Sequence, residues 1–143
     1  MPDILHDFPV SASPARVFDA FSRPAVLDAW WTLRSSGSPA PGAVYELFFG
    51  VGYDWRAEVS RCEPGRAFAL RMTRADTDWT GTTVAVTLEP LENGTHVRFA
   101  HTGWPSENAH YRTSCYCWAM YLRLMKRHLE TGEVVPYEIR LEV

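Results

Sequence analysis

The residue whose type and position point most directly to chemistry is His101. It closes the run Val97-Arg98-Phe99-Ala100-His101, and parity along that run sets its imidazole on the apolar side with Val97 and Phe99. Burial on such a face lowers a histidine's pKa and keeps the ring neutral near pH 7, with one donor and one acceptor nitrogen. That ring can orient a ligand carbonyl or serve as the acid–base of a catalyst. It can equally be a structural histidine, tied to Tyr111 or to backbone where strand meets helix. Tyr45, Trp55, Tyr111 and Tyr121 offer ring faces and hydroxyls of the kind that line small-molecule sites, or that fill a core with their polar tips satisfied. Together with Trp30, Phe68, Leu70, Phe99, His101 and Trp118, they form the predicted binding set for a small apolar or aromatic molecule.

Other chemistries find little support. Glu46, Glu58 and Glu89 all fall on the solvent parity of their segments, so no inward carboxylate stands ready to pair with His101. Cys115 and Cys117 are two apart on a helical stretch and so diverge by about 200°. No two histidines have helical i, i+4 spacing, and His96 and His101 differ in strand parity, so no metal site is expected. Neither thiol has a helix N-terminus or adjacent base to activate it. With no glycine-rich phosphate loop and no nucleophile elbow, no cofactor is expected either.

The elements that must position these groups follow from periodicity. Residues 4–10 read as a first strand. Ser13-Pro14 is a helix start, with a capping hydroxyl and proline's fixed φ, and Val17, Phe18 and Phe21 follow at helical spacing. Pro24 opens a second short helix through Val26, Leu27 and Trp30. Ser35 to Gly42 reads as a surface loop. From residue 43 the period becomes two, through Tyr45, Leu47 and Phe49; Trp55, Ala57 and Val59; Phe68, Leu70 and Met72; Val84, Val86 and Leu88; and Val97, Phe99 and His101. Pro64-Gly65 and Asn93-Gly94 mark turns between them. An antiparallel meander with one dry face follows.

Asn108 to Glu130 returns to a helical period. Tyr111, Cys115, Trp118, Leu122, Met125 and Leu129 form one apolar stripe, with Cys117, Tyr121, Leu124 and His128 beside it. At 1.5 Å per residue the helix is about 34 Å long, and Gly132 is placed to end it. Only the meander's concave face is large enough to cover so wide a stripe. The predicted fold is therefore α+β, a helix-grip: a curved antiparallel sheet around one long C-terminal helix, leaving a lined hollow between them. The tail, residues 132–143, alternates Tyr137, Ile139, Leu141 and Val143 with charged residues, as an extended strand does. It either docks on its own subunit or pairs across a homodimer.

The bulk numbers agree with one domain spanning residues 1–143. Apolar residues make up 46% and aromatics 13% of the chain. Folding at this size buries roughly 70% of the extended chain's surface. With 14 basic and 17 acidic residues the net charge is −3, which gives no electrostatic footprint for nucleic acid or an anionic membrane. The N-terminus lacks the basic segment and apolar run of a secretory signal, and no apolar stretch approaches the ~20 residues that span a bilayer. Three cysteines, Cys62, Cys115 and Cys117, are then expected as free thiols in the cytoplasm.

The order strand, two short helices, meander, long helix resembles the START/Bet v 1-like (SRPBCC) superfamily, and within it the activator of Hsp90 ATPase-like branch. The residues that carry the resemblance are Ala29-Trp30-Trp31-Thr32, Asp78-Trp79-Thr80-Gly81-Thr82, His101-Thr102-Gly103-Trp104-Pro105 and His128-Leu129-Glu130-Thr131-Gly132. The superfamily's members include carriers, sensors and enzymes, so the resemblance does not choose among them, and the lined hollow is what points to a binding module of carrier or sensor type. The superfamily's polyketide cyclases and dehydratases imply an alternative, an enzyme with His101 as acid–base, and the branch name implies a third, a chaperone-accessory or interaction module. The motifs mark architecture rather than activity, and no basic cluster here would dock an acidic chaperone surface.

Overall fold

The computed structural model describes residues 2–143; Met1, at the head of the span read as one domain, lies outside them. Strand β1 (Ile4–Val10) is followed by helices α1 (Pro14–Ser22) and α2 (Pro24–Trp30). Ser13 caps α1 by accepting from the Arg16 amide, and proline opens both helices. Strands β2 (Arg34–Ser36), β3 (Val44–Phe48), β4 (Asp54–Glu63), β5 (Ala67–Arg74), β6 (Thr83–Leu91) and β7 (Gly94–Thr102) come next, and helix α3 (Ala109–Thr131) follows. The strands form one 7-stranded sheet in the order β1-β7-β6-β5-β4-β3-β2, antiparallel throughout. Register shifts interrupt β4 at Arg56/Ala57 and Val59/Arg61, irregularities of the kind that bend a strand and increase its twist. This is the helix-grip arrangement that the change of period predicts.

Three local features differ from the sequence reading. Arg34–Ser36 forms an edge strand where a surface loop is expected, because Ser35 and Ser36 pair with Leu47 and Glu46. The β6–β7 hairpin turns through Glu92 and Asn93, since Leu91 pairs with Gly94, and neither turn residue has positive φ. Gly94 is needed for close approach instead: a Cβ there would meet the Val10 carbonyl oxygen at 2.2 Å. Finally, the tail is not a strand. Tyr137–Glu142 forms a short 3-10 helix that packs back on its own subunit.

Helix α3 begins as read. Asn108 caps it by accepting from the Tyr111 amide, and Gly132 ends it in the left-handed region, φ 80°. Its buried side chains include Trp118, Leu122, Leu124, Met125 and Leu129. The helix is also tied to the end of β1. Lys126 Nζ donates to the Pro9 carbonyl at 2.6 Å, and Glu130 accepts from the Ser11 amide at 2.8 Å.

The core is dominated by indoles. All 6 tryptophans belong to one ring network. Trp30 stacks on Trp31 at 6.1 Å, Trp31 meets Trp118 at 5.1 Å, and Trp118 stacks on Trp79 at 5.8 Å. Trp79 in turn contacts Trp55 at 4.9 Å and Trp104 at 6.0 Å.

Candidate functional site: an aromatic cleft at the mouth of the grip

The hollow expected between sheet and helix is almost completely filled. The void lined by Trp30, Phe68, Leu70 and Trp118 has a volume of about 10 Å³. That is at the lower limit for one water molecule, far below the several hundred Å³ of an organic ligand site. The indole network fills the space that periodicity alone leaves open.

Open space lies at the surface instead: a hollow of about 300 Å³ between β1 and α3, a polar one of about 370 Å³ beside Arg34 and Glu46, and a mainly aromatic pair at one end of the grip. Two adjoining hollows of about 250 Å³ and 170 Å³ share Trp31, Trp55, Trp79 and Tyr121. Phe49, Tyr53 and Tyr137 extend the outer one, and His110, Thr113, Cys117 and Trp118 line the inner one. Trp31 and Trp118 face both this cleft and the interior void, so they form the partition between them.

The predicted binding residues therefore separate into groups. Trp55, Trp118 and Tyr121 line the cleft. Trp30, Phe68 and Leu70 line only the filled interior, and Trp30 spends its indole N–H on the Ala20 carbonyl at 2.9 Å. Tyr45 is fully buried and donates to the Ser22 carbonyl, and burial pushes its phenol above the ordinary range. Phe99 is buried against Trp118, the rings tilted at 49° with centroids 4.5 Å apart. Tyr111 donates to the Asp3 carbonyl at 2.7 Å, away from the cleft. The physical reason is common to the last three: each is drawn into packing or backbone bonding that leaves it facing neither hollow.

His101 is inward and fully buried, as parity requires, but its partners are Thr82 and Trp118 rather than Tyr111 or backbone. Trp118 Nε1 donates to His101 Nδ1 at 3.0 Å. An indole nitrogen can only donate, so Nδ1 is the acceptor and the ring proton sits on Nε2. Nε2 then donates to Thr82 Oγ1 at 2.8 Å, and that hydroxyl donates to the Trp79 carbonyl. Desolvation is the chief reason that the imidazole pKa falls to about 3, with His110 adding to it. A neutral ring with both nitrogens engaged and no open hollow beside it has no free lone pair or proton for a ligand.

The polar groups of the cleft come from positions that parity did not single out. His110 Nδ1 lies 3.3 Å from Asp78 Oδ2, and Asn108 Nδ2 donates to the same oxygen at 3.2 Å. Trp79 Nε1 donates to Ser114 Oγ at 3.2 Å, fixing one wall. Burial raises the Cys117 thiol and pushes the Tyr121 phenol up to about 12, so both stay protonated near neutrality. No group of three or more His, Cys, Asp or Glu is arranged to hold a metal among the described residues. The three cysteines are unpaired, and no helix is long and apolar enough to cross a membrane.

The tail supplies the remaining wall. Arg140, 3% exposed, directs its guanidinium at three backbone carbonyls: Val135 at 3.0 Å, Thr32 at 3.3 Å and Asp28 at 2.8 Å. This clamp holds the 3-10 helix against the end of α2, and Tyr137 donates to the Phe49 carbonyl at 2.7 Å. The Asp28 carboxylate does not pair with Arg140; it accepts from the Thr32 and Ser35 hydroxyls.

Comparison with known proteins agrees with this architecture. The family described as "Activator of Hsp90 ATPase homolog 1-like protein" matches residues 11–130. The Aha1 dimer from Colwellia psychrerythraea, solved in solution, is 28% identical, with a TM-score of 0.84 over 93% of this chain and 99% of its own. MLL2253 from Mesorhizobium loti is 20% identical, with a TM-score of 0.80 over 93% of this chain and 100% of its own. CalU16 from Micromonospora echinospora is 20% identical, with a TM-score of 0.76 over 98% of this chain and 82% of its own. At that identity the last two share the fold alone. No curated protein matches the chain.

Proposed function

The chain belongs to the Activator of Hsp90 ATPase homolog 1-like family, and from that premise we propose that it binds a small, planar aromatic molecule in the cleft at the mouth of the grip. One observation carries this reading: Trp31, Trp55, Trp79 and Tyr121 surround open space, while the interior behind them is filled. Indole and phenol faces stack on flat rings, and such pairs add about 0.5–1.5 kcal/mol beyond area burial. A flat ring can use these aromatic faces without entering the interior, which is filled.

The test is an NMR titration of the six indole N–H signals with naphthalene-, indole- and flavone-type compounds. Shifts should concentrate on Trp55 and Trp79 and leave Trp30 untouched. Shifts centred on Trp30, or none for any flat ring, would remove the cleft from consideration.

The enzyme reading built on His101 would require that ring to break two hydrogen bonds and gain access to a ligand. A homodimer is a compatible second reading, favoured by the dimeric Colwellia relative and by the exposed Ile139, Leu141 and Val143 of the tail. Light scattering at micromolar concentration distinguishes one copy from two.

A further inference from the structure

We propose that His110, held by Asp78, is the polar anchor of the cleft, and that the ligand class is a hydroxylated aromatic, a phenol or naphthol. The proposal rests on the aromatic-cleft reading and adds to it the group that decides which flat ring is retained.

His110 lines the inner hollow beside Trp55, Trp79 and Tyr121. Its Nδ1 faces Asp78 Oδ2 at 3.3 Å. In the neutral ring a carboxylate there selects the tautomer with the proton on Nδ1, which leaves a lone pair on Nε2. Nε2 has no partner among the described residues, in contrast to both nitrogens of His101.

The arrangement is fixed before any ligand arrives. Asn108 uses both ends of its amide, accepting from the Tyr111 amide as the helix cap and donating to Asp78 at 3.2 Å. The start of α3 and the Asp78 turn are thereby tied together. Asp78 is also the neighbour of Trp79, so one short segment provides a stacking wall and the group that orients the imidazole. The edge of His110 further rests against Trp104, at 5.6 Å and 89°. A ring so constrained brings an unpaired acceptor to the cleft wall, and a ligand hydroxyl is the group that satisfies it. Losing a hydrogen bond of this kind costs about tenfold in affinity.

The test compares 2-naphthol with 2-methoxynaphthalene, equal in ring system but different in donor, by NMR titration of the full chain. The wild-type protein should prefer 2-naphthol by about tenfold. His110→Phe should bring the two to equal affinity with the indole spectrum otherwise unchanged, and His110→Gln, which keeps an acceptor, should recover part of the preference. Asp78→Ala should reduce the preference about threefold without abolishing ring binding. Equal affinity of the two compounds for the wild-type protein, or a preference that survives in His110→Phe, overturns the anchor and leaves the cleft standing. Failure of both compounds to bind overturns the anchor and the cleft together.

Discussion

Trp118 and His101 are joined across the grip by a hydrogen bond of 3.0 Å from indole Nε1 to imidazole Nδ1, and this bond connects the long helix to the last strand at the centre of the core. It makes the histidine's neutrality a condition of folding. The imidazole has an ordinary pKa of 6.5 and a folded one of about 3. Between those values the unfolded chain holds the extra proton, so stability falls as pH drops, by up to about 1.4 kcal/mol per pH unit, and is unaffected by this group above the upper value. Urea midpoints between pH 7.5 and 4 should fall more steeply for the wild type than for His101→Gln. Equal slopes would refute the assignment.

Trp118 and Trp104 are both fully or almost fully buried, yet their indole nitrogens differ in circumstance. Trp118 satisfies His101, whereas Trp104 Nε1 has no hydrogen-bond partner. Trp118→Phe leaves a buried imidazole acceptor unpaired, while Trp104→Phe deletes a donor that was already orphaned. Trp118→Phe should therefore destabilise by about 1–3 kcal/mol more than Trp104→Phe. Chemical denaturation of the two variants measures the difference, and a larger loss for Trp104→Phe would contradict the bonding described.

Interior and cleft can be separated by mutation. Leu70 lies against the filled void, so Leu70→Ala should cost about 2–5 kcal/mol and leave affinity for a flat ring nearly unchanged. Trp55 lies partly exposed in the cleft, and Trp55→Ala should cost less stability but weaken ring binding about tenfold or more. Paired melting curves and binding titrations decide this. The reverse pattern would return the binding site to the interior.

Arg140 holds the tail through three carbonyl oxygens. Lysine carries the charge but not the fork, so Arg140→Lys and Arg140→Met should both release residues Tyr137–Glu142. Amide hydrogen exchange there should accelerate by at least tenfold in either variant, with little change in β5–β7. Protection retained in Arg140→Lys would show that charge alone suffices.

Much of the scaffold was legible because single residues carry single meanings. Ser13, Asn108 and Gly132 announce helix ends by their chemistry, and parity correctly turns Val97, Phe99 and His101 inward. The hollow was not legible in the same way. Periodicity tells which side chains face inward but not how far they reach, and Trp30, Trp31 and Trp118, with Phe21 and Phe68, reach far enough to close the interior. His110 continues the second helical stripe backwards through Ser114, but it lies ahead of the apolar part that begins at Cys117, and its value depends on Asp78, which is 32 residues away in the chain. The tail misled for a related reason. Alternation of Tyr137, Ile139 and Leu141 resembles a strand, but a buried guanidinium at Arg140 finds its carbonyl partners only when the backbone coils.

The joined indoles also have a photophysical consequence. Neighbouring rings 4.9 to 6.1 Å apart exchange electronic excitation faster than they emit, so light absorbed by any tryptophan is shared among the set. An energy acceptor seated against Trp55 would then drain emission from rings it never touches, Trp30 included. The protein's own ultraviolet glow should therefore report occupancy with a gain that no isolated fluorophore provides.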